Sequence, residues 1–476
     1  MSVHDLETQP LKAVLVGVQL PRVSDQENNA SLDELSRLVT TLGYEVVGRT
    51  SQRRSSTKTA TVLGDGKLME LAKWTGGSGK VTYFVAPKKH KASLRFEKNK
   101  DEDEDIFDID EEDITTEQEP EDVVESENPQ EHAEVVIFDC DLSPSQLRNV
   151  ESATGAKVLD RTGVIIEIFS RHARTRAARL QVEIARLRYL APRIRATAGD
   201  DDRQGGGGKG AGESSIELDR RKIRDRLKEL KMDMGSIGQE HLTRRARREQ
   251  EACVALVGYT NAGKSSLMRV MTGSDVYIAD KLFATLDTTV RAVQPETRPK
   301  ILLSDTVGFI KKLPHDLVAS FKSTLDEALN ASLLLFVVDS SDPSFRSQLE
   351  VTRKVLAEVG AGETPSLLLL NKRDNLSDDE AAALQREFPE AILMSTRNPQ
   401  DIVDLRERLV KFFESEMREE EIFIPYTVQG VIGDIRGRLK VLAEEYDEKG
   451  VRLTVRAKAE DFDKIRKKIK DILADL

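Results

Sequence analysis

Between residues 11 and 100 short apolar runs alternate with helical stretches. "LKAVLVGVQL" predicts a buried strand, and "SLDELSRLVTTLG" predicts a helix closed by glycine. "YEVVG" and "VTYFVAP" predict further strands, and "VLGDGKLMELAKW" a glycine turn opening a helix. "AEVVIFDCDLSPSQLRNVESATG" repeats strand, turn, helix. The pattern predicts an N-terminal α/β domain over 1–160. A polar insertion at about 98–132 interrupts it.

From 162 to 195 the period changes to that of one long helix. Phe169, Ala173, Ala177, Leu180, Ile184 and Leu187 form a narrow apolar seam. A second long helix is expected from about Ile216 to Gln250, with Ile223, Leu227, Leu230 and Met234 as its seam. Two one-seamed helices bury least polar surface by packing on one another. Residues 161–250 are therefore expected to be a helical hairpin with a Gly-rich tip at about 199–213. From 251 to 415 the apolar runs become continuous: "ACVALVG", "KILLSDTVG", "LLLFVVDSS", "SLLLLNKRD", "EAILMST". Such runs fit strands covered on both faces, hence a doubly wound, mostly parallel sheet. Residues 416–476 predict a small α/β domain: "IFIPYT", a helix near 428–446, the strand "GVRLTVRAK" and a basic C-terminal helix.

Charge sharpens this picture. Over the 476 residues the net charge is −11, yet residues 101–131 hold seventeen acids and no Lys or Arg. Without that run the chain carries +6. The acidic run lacks the apolar content for a core and is expected to be disordered, either a solvated tether or a regulatory, nucleic-acid-mimicking segment. The basic charge is clustered. Eight arginines lie between Arg171 and Arg195, with Glu183 the only acid. Between Asp219 and Arg248 eleven Lys or Arg face five acids. A solvated coiled coil normally interleaves both signs, so this excess points to a phosphate backbone. Arg171, Arg174, Arg220 and Arg221 on the helices, with Arg203 and Lys209 at the tip, are the candidate RNA contacts. The tip glycines Gly205 to Gly208 are either a plain linker or a loop that orders on a grooved, charged surface. Cys140 and Cys253 lie far apart and suit small core positions in a reducing cytosol. Six scattered histidines offer no zinc site, no run is long enough to span a membrane, and the first thirty residues lack a secretory signal. A cytoplasmic monomer is expected.

The chemistry sits in the third domain. "GYTNAGKSS" follows a strand, precedes a helix and fits Gly-x-x-x-x-Gly-Lys-Ser from Gly258 to Ser265. Gly258, Tyr259, Thr260, Asn261, Ala262 and Gly263 can wrap phosphates with backbone N–H groups at a helix N-terminus. Lys264 can bridge the β- and γ-phosphates, and Ser265 can offer its hydroxyl to Mg²⁺. Asp305, ending "KILLSD", can reach Mg²⁺ through water. In the run Asp305, Thr306, Val307, Gly308, the Gly308 N–H can approach the γ-phosphate. Asn371, Lys372, Arg373 and Asp374 end another strand at the carboxyl edge of the sheet. The Asp374 carboxylate can accept the ring N–H and exocyclic amine of guanine, a donor pair adenine lacks. Ser395, Thr396 and Arg397 are expected to hold the guanine carbonyl through backbone N–H groups. In "LFATLDTTV", Thr285, Thr288 and Thr289 compete to supply the Mg²⁺-linked hydroxyl. Phe309, directly after Asp-x-x-Gly, cannot orient water. "VLGDGKLM" in the first domain is taken as a structural turn rather than a second nucleotide site.

The boxes "GYTNAGKS", "FATLD", "DTVGF" and "NKRD" resemble those of translation-factor-class GTPases related to Obg and Era. The remainder resembles the HflX family. The matching pieces are "GDGKLMELA", "DRTGVIIEIFSRHARTRAARLQVEIARLRYLAPR", "GAGESSIELDRR" and "IPYT…VLAEEYDEKGVRLTVRA". The resemblance implies an α/β fold with a P-loop GTPase domain, an N-terminal α/β domain, a basic helical hairpin and a small C-terminal α/β domain. It implies a GTPase that converts GTP to GDP, binds the large ribosomal subunit and its RNA, and dissociates stalled or idle ribosomes under stress. A GTP-gated ribosome-assembly factor and an ATP-driven RNA remodeller are the competing readings. By the same resemblance, Phe283, Ala284, Thr285, Leu286 and Asp287 line the nucleotide, with Thr285 linked to Mg²⁺. Lys264, Gly308 and Thr285 carry catalysis, and Asn261 can hold K⁺ near the phosphates. The apolar Phe309 implies slow intrinsic hydrolysis that the ribosome accelerates. The chain departs from the family in Asp287-Thr288-Thr289, where Asp-Pro-Thr is usual, in the tip "KGAGESSIE", and in the acidic insertion.

Overall fold

The computed structural model describes residues 10–81, 132–197, 215–246, 251–273, 282–283, 289–312, 328–415, 417–428 and 430–474. The acidic run, the strand expected at "VTYFVAP" beyond Val81, and the glycine tip with Arg203 and Lys209 lie outside the described residues. The described residues fall into two compact units, the first running to Ile237 and the second from Gly238.

In the first unit, β1 (Lys12–Gln19), β2 (Glu45–Arg53), β3 (Val135–Phe138) and β4 (Lys157–Asp160) form a parallel sheet of order β2-β1-β3-β4. Helices α1 (Asp25–Thr41), α2 (Asp65–Thr75) and α3 (Pro144–Thr154) connect them. Their starts are written in the sequence. Ser24 with Glu27, and Ser143 with Gln146, make reciprocal capping boxes, and Pro144 fills the first turn of α3 where no N–H is needed. Val14, Val16, Leu68, Leu71, Trp74, Val136 and Phe138 fill the core on one side of the sheet.

The single helix expected over 162–195 is two helices, α4 (Arg161–His172) and α5 (Arg176–Thr197). Ala173 is extended, at φ −66° and ψ 110°, and the Thr175 hydroxyl accepts the Ala178 N–H at 3.2 Å. A side-chain cap thus begins a new helix where apolar spacing alone runs through. Phe169 therefore belongs to α4, which packs on α1, β4 and α5, and Ala173 is the residue that closes it. The true hairpin seam joins α5 to α6 (Ser215–Ala246): Leu180, Ile184 and Ala191 meet Ile223, Leu227 and Leu230, flanked by Leu187, Ile194 and Met234.

The joint between sheet and α5 is polar. Asp160, fully buried, caps α4 at the Gly163 N–H (2.7 Å) and accepts from Tyr189 Oη (2.7 Å) and Arg193 Nη2 (2.7 Å) of α5 and from the Leu142 N–H (3.3 Å). Burial and the Asp160 charge push the Tyr189 phenol far above its usual range. Next to it Arg161, 1% exposed, bonds Asp139 at 2.7 Å and also pairs with Glu34 of α1.

In the second unit, β5 (Ala252–Val257), β6 (Thr289–Ala292), β7 (Ile301–Asp305), β8 (Leu333–Asp339), β9 (Ser366–Asn371) and β10 (Ile392–Leu393) form a sheet of order β10-β9-β8-β5-β7-β6. Every pairing is parallel except that of β6 with β7, an edge strand the apolar runs do not announce. Helices α7 (Lys264–Thr272), α8 (Phe345–Val359), α9 (Asp378–Glu387) and α10 (Pro399–Glu414) accompany it. Val254, Leu256, Leu303, Leu335, Val337, Leu405 and Phe413 lie in its core. Then β11 (Arg418–Pro425), α11 (Gly430–Arg438), β12 (Lys440–Asp447), β13 (Gly450–Ala457) and α12 (Ala459–Ala474) form an antiparallel sheet of order β11-β13-β12 backed by two helices. The helix expected near 428–446 ends at Arg438. Residues 440–447 form a hairpin strand on β13, whose alternating apolar face needs a partner on each edge. Glu414, closing α10, accepts from Lys440 and, at 3.3 Å, from Arg456 of this module.

Candidate functional site

The turn between β5 and α7 carries the phosphate motif. Gly258 sits at φ 154°, and a Cβ there would lie 2.1 Å from the Val337 carbonyl oxygen. Gly263 sits at φ 96°, and its Cβ would lie 2.3 Å from Asn371 Nδ2. Both positions require glycine by conformation and by space. Lys264 opens α7 and turns back, so that its Nζ donates to the carbonyls of Gly258 (2.9 Å) and Tyr259 (2.7 Å). Burial lowers its pKa to about 8, against the opposing pull of Asp305. Such an ammonium gains much from a phosphate that restores its lost solvation.

Asp305, fully buried at the end of β7, accepts the Ser265 hydroxyl at 2.9 Å on Oδ2. Two hard oxygen ligands are thus adjacent, the donor type Mg²⁺ prefers. Among the described residues no cluster of three or more His, Cys, Asp or Glu could hold a metal ion. Thr306, also buried, donates to the Leu256 carbonyl at 2.6 Å, which fixes the chain before Val307 and Gly308. Gly308 packs on the phosphate loop. A Cβ there would lie 2.8 Å from Thr260 Cγ2 and 3.1 Å from Lys264 Nζ. Phe309 is 3% exposed and its backbone bridges to Tyr259. Phe283 is buried at φ 57°. Ala284, Thr285, Leu286 and Asp287 lie outside the described residues. Asn261 stands at φ 60° on the exposed side of the loop.

The loops expected to recognise the base converge at the ends of β9 and β10. Asn371 Nδ2 donates to the Ala262 carbonyl at 2.9 Å and so ties this region to the phosphate loop. The Asp374 carboxylate accepts the Ser395 hydroxyl at 2.6 Å on one oxygen and Arg397 Nη1 at 3.0 Å on the other. The Ser395 hydrogen bond, with Arg397 assisting, holds its pKa below the usual carboxylate value. The N–H groups of Ser395, Thr396 and Arg397 are taken by Asp401 Oδ2 (2.7 Å), Asn371 Oδ1 (3.2 Å) and Ser395 Oγ (3.2 Å). Lys372, at φ 63°, pairs with Asp339 at 2.7 Å, and Arg373 donates its N–H to the Met394 carbonyl. Sequence reasoning did not single out Asp339 or Asp401. The available signals were the acid ending "LLLFVVD" and the acid in the first turn after "NP".

Of the candidate RNA contacts on the helices, Arg171 spans from Glu167 (3.3 Å) to the Leu42 carbonyl (2.6 Å), so part of its charge is spent inside the first unit. Arg174 and Arg221 are exposed, and Arg220 is half-buried. No described helix is long and apolar enough to cross a membrane.

Three family models match the chain: a GTP-binding GTPase N-terminal region over residues 29–86 and 118–170, a GTP-binding GTPase middle region over 172–248, and a 50S ribosome-binding GTPase over 253–372. A protein named GTPase HflX from Gluconacetobacter diazotrophicus is 56% identical over 95% of this chain and 97% of its own. Another of that name from Caldanaerobacter subterraneus is 34% identical over 97% of this chain and 95% of its own. A crystal structure of a GTP-binding protein from Sulfolobus solfataricus in complex with GDP aligns at TM-score 0.40 and 22% identity, covering 85% of this chain and 99% of that one. With near full-length identity to curated relatives, and with family models matching its N-terminal, middle and GTPase regions, the chain belongs to the HflX family of GTPases.

Proposed function

We propose that this GTPase uses its nucleotide state to control a ribosome-bound form, and that it splits stalled or idle ribosomes through contact with the large subunit and its RNA. The observation that carries the proposal is one chain holding both a phosphate-loop turn tied through Asn371 to the Asp374 loop and an Arg-rich hairpin. That hairpin hides an apolar seam between α5 and α6 and leaves Arg221 exposed on α6, while Arg174 is exposed in the break between α4 and α5. In the pocket, Lys264 neutralises charge on the β- and γ-phosphates, the Gly308 N–H marks the γ-phosphate, and Asp374 accepts from guanine. Ser265 and Asp305, with Thr285 from the segment outside the described residues, would hold Mg²⁺, which when bound shields charge on the transferring phosphoryl group. Asn261 is the candidate for a K⁺ ion beside the phosphates. Equal hydrolysis rates in K⁺ and Na⁺ would remove that role.

Phe309 sets the kinetics. Its buried ring anchors the loop and has no atom to orient water, so intrinsic hydrolysis is slow. A partner that places water and neutralises charge raises such rates by about 10³–10⁵. The ribosome is the proposed partner. Sedimentation of ribosomes with the protein and a non-hydrolysable GTP analogue tests the reading. Free subunits are expected to accumulate. Binding to intact ribosomes without release of subunits would favour a GTP-gated assembly or translation regulator instead.

A further inference from the structure

One acid in the first turn of α10 holds the loop that precedes the helix. Asp401 Oδ2 accepts the Ser395 N–H at 2.7 Å, and Asp401 Oδ1 accepts Asn398 Nδ2 at 2.8 Å. The Ser395 carbonyl accepts the Asn398 N–H at 3.0 Å, so the loop also closes on itself. Ser395 is 5% exposed, and its hydroxyl is committed in both directions. The hydroxyl oxygen accepts the Arg397 N–H at 3.2 Å, and its one proton goes to Asp374 Oδ1 at 2.6 Å. The Asp374 carboxylate thus takes its direction from a residue whose own backbone is pinned by Asp401. Arg397 Nη1 also meets Asp374, at 3.0 Å, but from a side chain 82% exposed, a contact that solvent and salt weaken.

We propose that Asp401 is a positioning residue for base selection: by holding the Ser395 N–H it aims, through the Ser395 hydroxyl, the carboxylate that tells guanine from other purines. This role rests on the reading that Asp374 accepts the ring N–H and the exocyclic amine of guanine. Two donors fixed on one rigid base are both met only by a carboxylate at the matching angle. A carboxylate loose about its terminal torsion still meets one of them. Hypoxanthine keeps the ring N–H and lacks the exocyclic amine, so it asks less of that angle. Asp401 acts on Asp374 through Ser395, which is bonded to the first by its N–H and to the second by its hydroxyl. The plain alternative is that Asp401 only steadies the start of α10, where the helix dipole favours an acid. That alternative predicts equal losses for guanine and hypoxanthine nucleotides.

The test is Asp401→Ala in the full chain with Mg²⁺, measuring dissociation constants for GDP and for inosine diphosphate. The unmodified protein is expected to prefer GDP. In the variant, the ratio of the inosine diphosphate constant to the GDP constant should fall about three- to tenfold, the worth of one net hydrogen bond. An unchanged ratio, whatever happens to the two constants together, overturns the role of Asp401. Asp401→Asn is the gentler variant and keeps one acceptor oxygen. It should recover at least part of the ratio, and no recovery overturns the role. With Asp374→Ala already in place, Asp401→Ala is expected to leave the ratio unmoved, and a further fall overturns the path through Ser395. If the unmodified protein holds inosine diphosphate as tightly as GDP, the reading of Asp374 fails together with this role, whereas a preference for GDP that survives Asp401→Ala overturns this role alone.

Discussion

The parallel sheet of the first unit and the mostly parallel sheet of the second each end a strand on a fully buried aspartate, Asp160 closing β4 and Asp305 closing β7. The positions are alike, and the neighbours are not. Asp160 is bonded by a helix amide, a second backbone N–H, a phenol and a guanidinium, all from the first unit. Asp305 takes the Ser265 hydroxyl, beside a lysine whose proton is held loosely. The first carboxylate is used up in joining α5 to the sheet. The second stands among groups whose natural complement is a phosphate and a hard cation. A buried acid at a strand end is therefore not in itself a sign of chemistry; the donors around it decide.

The strongest way to break this comparison is to remove Asp160. Asp160→Ala leaves the half-buried Arg193 without its ion-pair partner, Tyr189 without its acceptor and α4 without its cap, and should cost about 3–5 kcal/mol of stability, read by chemical denaturation of the first unit. If GTP turnover fell instead, with stability unmoved, the division of roles would be wrong. Lys264→Ala is the mirror experiment. It should lower turnover by about 10²–10³ while sparing stability, since a costly buried ammonium goes with it. Asp374→Asn should weaken GTP by about ten- to a hundredfold, the worth of hydrogen bonds to a charged group, and improve binding of xanthosine triphosphate, whose carbonyl suits an amide donor. Unchanged GTP affinity would remove Asp374 from base recognition.

The smallest effect is on pH. Lys264 is lowered to about 8 in the free protein, and a bound triphosphate raises it again, so binding takes up a proton above that value. Affinity for GTP should be flat below pH 7 and fall by up to about tenfold per unit above pH 8. Lys264→Ala should abolish that slope, as titration calorimetry can show.

How much of this was legible in the sequence differs between the two regions for a physical reason. The phosphate loop constrains the backbone itself: Gly258 and Gly263 tolerate no Cβ, so the motif carries its geometry. The joint at Asp160 is built from side chains 29 and 33 residues away, which no local spacing reveals. The break between α4 and α5 was hidden because Ala173 continues the apolar period, and only the Thr175 cap marks it. The strand β12 was read as helix because "KVLAEEYD" also suits a helix, and its β13 partner decides the matter. At the base loop, the sequence pointed to the place, while the Ser395 hydroxyl on Asp374 emerged only in three dimensions.

The helix α10 has a consequence of its own. It begins directly after the Ser395–Asn398 loop and ends on Glu414, which grips Lys440 and Arg456 of the C-terminal module. Sixteen helical residues make a rod about 24 Å long. Tilting such a rod by about 5° at the end near the base would swing its far end by about 2 Å. The small C-terminal sheet is thus mounted on a pointer whose pivot is the Ser395–Asn398 loop, so a subtle rearrangement of that loop would arrive there enlarged.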